Sequence, residues 1–106
     1  ASTDSIPTNN EKEDHVSMGP TAARKAKVIL ENTENVLAIE MLAASQALEF
    51  RRPLKAGRGP EWLYKQVREK VARLQTDRYL TPDIESIAHL VRSGELHSRG
   101  KREGIL

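Results

Sequence analysis

The sequence of 106 residues contains no cysteine, which excludes disulfides and thiolate metal sites and leaves the redox compartment open. Aromatic residues make up only 4%, with one Trp, one Phe and two Tyr, so there is no array of rings on which nucleic-acid bases could stack. No uncharged apolar run reaches the 18 residues a membrane-spanning helix needs, and the opening residues do not resemble a signal peptide. The apolar fraction of 38% lies below the ~45–50% of ordinary globular domains. One small core with much polar surface is therefore expected, in a cytoplasmic setting without membrane contact. No phosphate-binding glycine loop, GxSxG elbow, strand alternation or internal repeat is present.

Charge is distributed unevenly. Residues 1–50 carry 4 Lys/Arg and 8 Asp/Glu, whereas residues 51–106 carry 13 and 7. The basic residues of the second half are interleaved with acids and lack the RNA-binding or zinc-finger spacings. A solvated face or an acidic protein surface is the expected partner, and nucleic acid is not.

Helix patterning dominates what remains. After a polar stretch, ASTDSIPTNNEKEDH, apolar residues from Ala22 to Leu48 recur at three-, four- and seven-residue steps on two adjacent stripes. Ser17 is the expected N-cap, with Pro20 in the first turn, where its missing N–H costs nothing. Between Val36 and Leu48 the pattern is apolar almost all round, which predicts burial on several sides. A helix over residues 20–50 would run roughly 45 Å. A compact domain of this size has a gyration radius of about 13 Å and thus a diameter of roughly 33 Å. The expectation is an all-α chain whose long helix belongs to a larger helical assembly.

Four segments are expected: 1–19 as a polar loop and helix entrance of the active-site type, 20–52 as a long bundle helix, 53–96 as shorter helices, and 97–106 as a flexible tail. Pro53, Gly57 and Gly59 end the long helix. A second helical segment is read over 61–80, with Leu63, Val67, Val71 and Leu74 on one side. A third follows Thr81 as N-cap and Pro82 at the first position, leaving at Gly94, with Ile84, Ile87, Leu90 and Val91 as its apolar side.

The segment EKEDHVSMGP carries the candidate chemistry. Glu11, Glu13 and Asp14 ahead of a helix have an ordinary reading, since carboxylates favour the positive helix end and accept its orphan N–H groups. The chemical reading is that one carboxylate faces an enclosed pocket, where it binds an N–H-bearing ligand or exchanges a proton, while its neighbour anchors the loop. The only histidines, His15, His89 and His97, form no ligand spacing, so no metal is expected and His15 reads as a hydrogen-bonded supporting group. Glu40, inside VLAIEMLAASQAL, is expected to find a polar or cationic partner on a neighbouring helix, because an unpaired charge there is costly.

DSIPTNNEKEDHVSMGPTAARKA, then ENTENVLAIEMLAASQALEFR, DRYLTPDIE and HLVRSGEL, together resemble the C-terminal part of the aromatic amino acid lyase family, on its histidine-specific branch. The resemblance implies a largely helical homotetramer that converts L-histidine to trans-urocanate and ammonia. It needs no external cofactor, its electrophile being 4-methylideneimidazol-5-one, formed from an internal Ala-Ser-Gly. No Ala-Ser-Gly occurs in these residues, so the electrophile is expected from the remainder of the polypeptide, and this stretch alone is expected to be inactive. By motif, Glu13 corresponds to the glutamate that faces the active site and recognises the substrate imidazole, as both catalytic and substrate-binding residue. Asp14, His15 and Ser17 correspond to loop-anchoring or capping positions. Glu11-Lys12 replaces the commoner Asn-Gln, a departure that bears on substrate range. Other readings are an ammonia-lyase or aminomutase acting on another aromatic amino acid, and a non-catalytic helical assembly module.

Overall fold

The computed structural model describes the backbone from residue 11 and the side chains from residue 19, each through to residue 106. Among the described residues all regular structure is helical: α1 (Glu11–Glu49), α2 (Arg58–Lys70), α3 (Thr81–Arg92) and α4 (Glu95–Arg102). The chain divides into two compact units, Ala1–Thr33 and Glu34–Leu106, with α1 contributing residues to each.

α1 begins at Glu11, ahead of the expected cap at Ser17, and includes Pro20 as an interior residue. The correction has a physical reason. A proline removes one helical hydrogen bond and crowds the preceding turn, but it does not forbid a turn upstream. Glu11, Lys12 and Glu13 are good helix formers, and acidic residues suit the positive end of the helix dipole. Ser17 therefore lies within the helix rather than at its entrance.

In the first unit, every described side chain from Gly19 to Thr33 is exposed. Val28, Ile29 and Leu30 are each more than half exposed. The Thr33 hydroxyl donates back to the Ile29 carbonyl at 2.8 Å, a local bond that helps satisfy a polar side chain on a solvated turn.

The second unit holds the core. Ala38 of α1, Val67 of α2, Val71, and Ile87, Ala88 and Leu90 of α3 are buried together, with Met41, Leu42, Ile84 and Leu96 packed around them. Val67, Val71, Ile87 and Leu90 belong to the apolar sides expected from their spacing. Ile87, Leu90 and Val67 are the largest fully buried side chains, each stabilising the fold by about 1.5–3 kcal/mol relative to exposure.

α2 stops at Lys70, well before Leu80, the expected end of that helical segment. Val71 turns to extended backbone, φ −134° and ψ 125°. The following loop is held by side chains: the Arg78 guanidinium donates to the carbonyls of Ala72 (2.7 Å) and Arg73 (3.3 Å) and pairs with Asp83 at 3.0 Å. Those bonds satisfy carbonyls that a longer helix would have used internally.

The expected tail contains a helix. α4 ends in a Schellman motif, with the Ile105 N–H bonding the Gly100 carbonyl (2.8 Å) and Gly104 N–H bonding that of Lys101 (3.3 Å). Gly104 supplies the left-handed residue, φ 73°, that this termination requires. Trp62 Nε1 donates to Glu103 at 3.0 Å and Arg58 donates to its carbonyl at 3.3 Å, tying the segment back to α2. Its few apolar residues hid this from a periodicity reading, because the anchors are polar and distant in sequence. Gly94, at φ 79°, forms the expected exit from α3.

Candidate functional site

Glu13, Asp14, His15 and Ser17 fall, by backbone, in the first two turns of α1; their side chains, and hence the roles expected of them, lie outside the described residues. The functional geometry that is described lies in the second unit, at the C-terminal half of α1.

Glu49 is its electrostatic centre. The Glu49 carboxylate, 7% exposed, accepts from Arg68 Nε at 2.6 Å and from the Tyr64 hydroxyl at 2.8 Å. Arg73 Nε stands 2.9 Å from its second oxygen, a charge contact without hydrogen-bond alignment. Burial works to raise the Glu49 pKa, yet the bonds from Arg68 and Tyr64 and the charges of Arg68 and Arg73 hold it below the ordinary carboxylate value. Gln46, one turn earlier, accepts from Leu74 N–H (3.2 Å) and donates to Leu74 carbonyl (3.1 Å). This pair of polar side chains fastens the end of α1 to α2 and to the loop after it.

A second clamp lies beside the first. Arg52 meets Glu61 through two bonds of 2.6 and 3.0 Å, and Ala56 N–H donates to the same carboxylate at 2.9 Å. The Arg52 guanidinium and the Ala56 bond bring the Glu61 pKa down to about 2. Arg52 also lies over the Tyr64 ring, 5.0 Å from its centroid, with Arg68 at 5.5 Å, so the ring joins both clamps.

These groups are paired, and pairing removes the reactive carboxylate or free base that acid–base chemistry requires. Their chemistry is structural. Sequence reading missed both clamps, although Gln46 and Glu49, three residues apart at the end of an apolar run, were the visible signal. It singled out Glu40 instead, which is exposed here and has no ion-pair partner among the described residues. Besides Glu49, a buried acid of that helix is Glu34, paired with Arg92 at 3.1 Å. Among the described residues no group of three or more His, Asp or Glu side chains is placed to hold a metal, and no helix is long and apolar enough to cross a membrane.

Beside the Glu49 clamp runs an apolar trough of about 430 Å³, walled by α1 on one side and by the loop after α2 with the start of α3 on the other. Ile39, which lines it, is 49% exposed, and elsewhere on α1 Val36 and Leu37 are 61% and 41% exposed. Fold and surface thus define the class: among the described residues, an all-α segment whose longest helix leaves large apolar side chains exposed. The comparisons with known proteins supply the rest. The profile of the aromatic amino acid lyase family matches residues 1–69. The chain is 53% identical, over all its 106 residues, to a histidine ammonia-lyase of Caldanaerobacter subterraneus subsp. tengcongensis, of which it covers 21%. It is 55% identical over 98 residues to that of Natranaerobius thermophilus, spanning 92% of this chain and 19% of that protein. With the histidine ammonia-lyase of Idiomarina loihiensis the identity is 44% over 106 residues, again 100% of this chain and 21% of the relative. The chain belongs to the aromatic amino acid lyase family, and it spans about a fifth of the length of the curated relatives it matches.

Proposed function

We propose that this chain is the C-terminal portion of a histidine ammonia-lyase, the enzyme that eliminates ammonia from L-histidine to give trans-urocanate. The observation that carries the reading is identity of 53–55% to proteins of that name across nine tenths or more of the chain. Glu13 is its substrate-side residue, placed by the EDH motif. A carboxylate there accepts a hydrogen bond from an imidazole N–H, whereas opposite a phenyl ring it would be desolvated with nothing in return. That asymmetry favours histidine over phenylalanine as substrate. Asp14, His15 and Ser17 hold the backbone around it.

The electrophile implied by the family, 4-methylideneimidazol-5-one, arises from Ala-Ser-Gly, and this sequence has none. The described clamps hold paired charges and no cradle for such a ring, so these residues do not house the group. Their contribution is Glu13 beside the substrate, and helices for a cytoplasmic homotetramer. The 106 residues by themselves are inactive.

The test is Glu13→Gln in the full-length enzyme. Turnover of L-histidine, as kcat/KM, falls by about tenfold or more, equivalent to at least ~1.4 kcal/mol of transition-state stabilisation, while the thermal midpoint and oligomeric state stay unchanged. Parental kcat/KM in the folded variant would remove Glu13 from this role.

A further inference from the structure

We draw no further inference here: the strongest candidate, the polar hollow between α3 and the start of α4 lined by Lys70, Glu85, Ser86, His89 and Glu95, mixes both signs of charge at an exposed rim, and nothing in the structure shows what covers it.

Discussion

Within the second unit, the residues of α1 and those of α2 and α3 differ in the side chains they bury most completely. α2 and α3 turn Val67, Ile87 and Leu90 inward and leave charges such as Lys65, Lys70 and Glu85 outside. On α1 the buried positions are Glu34, Ala38 and Ser45, while Val36, Leu37 and Ile39 face water. Glu34, Ala38, Ser45 and Glu49 succeed one another at steps of four, seven and four, one face of a helix. The short helices carry the polarity of a surface element around its own core. α1 rests on that core through Met41 and Leu42 together with small and polar residues, and leaves Val36, Leu37 and Ile39 exposed. Leaving a large aliphatic side chain in water forgoes about 1.5–3 kcal/mol of possible stabilisation, and α1 leaves three of them there.

The largest effect should come from the inward side. Ile87→Ala is expected to cost about 3–5 kcal/mol, through lost burial and the cavity left behind, read as a fall in the denaturant midpoint. A cost below about 1 kcal/mol would mean that the α2–α3 core is not what holds the unit together.

Next is the clamp that lets α1 rest on a polar face. Glu49→Ala removes the carboxylate paired with Arg68, 16% exposed, leaves it only neutral acceptors at Gln46 and Val71, and is expected to cost about 3 kcal/mol; Glu49→Gln, which keeps an acceptor, should cost less. Acid should act in the same direction. The folded Glu49 pKa is lowered, so its stabilisation is present above the ordinary carboxylate value and is lost as pH falls through the lowered one. In a pH series of denaturation midpoints, Glu49→Ala should be less acid-sensitive than the parent over that window.

A smaller, local effect is expected at Glu61. Its pKa is about 2 against an ordinary 4.5, so the contribution is complete above pH 4.5 and disappears as pH drops through about 2. The pair lies near the surface, with the Arg52 side chain 32% exposed, and solvent screens it, so the readout is local: Glu61→Gln should speed amide exchange at Ala56 without shifting the global midpoint. Unchanged exchange at Ala56 would show that the Arg52–Glu61 pair does not order this loop.

The smallest effect is the most discriminating. Val36→Ala in the 106 residues alone should change stability by less than about 0.5 kcal/mol, as for an exposed site. In the full-length protein the same substitution should cost about 1 kcal/mol or more where further helices cover those methyl groups. Equal small effects in both settings would mean that the outer face of α1 stays in water, and the contrast would lose its meaning.

Much of this was legible beforehand. The all-α class, the Gly94 exit and the Val67, Val71, Ile87 and Leu90 core positions all follow from local spacing, where periodicity and backbone preference act over a few residues. The α4 helix, the early end of α2 and the Glu34–Arg92 pair were not legible. Each depends on partners brought together by folding: Trp62 with Glu103, Gln46 with Leu74, and an ion pair spanning 58 residues.

The sequence by itself determined that this protein is helical and that its family motif surrounds Glu13, because helix periodicity and a contiguous motif are properties of neighbouring residues. Only the tertiary structure decided which side of α1 meets the core. An apolar pattern almost all round the helix cannot choose a face; Arg92, Arg68 and the loop at Leu74 choose it by pairing with Glu34, Glu49 and Gln46.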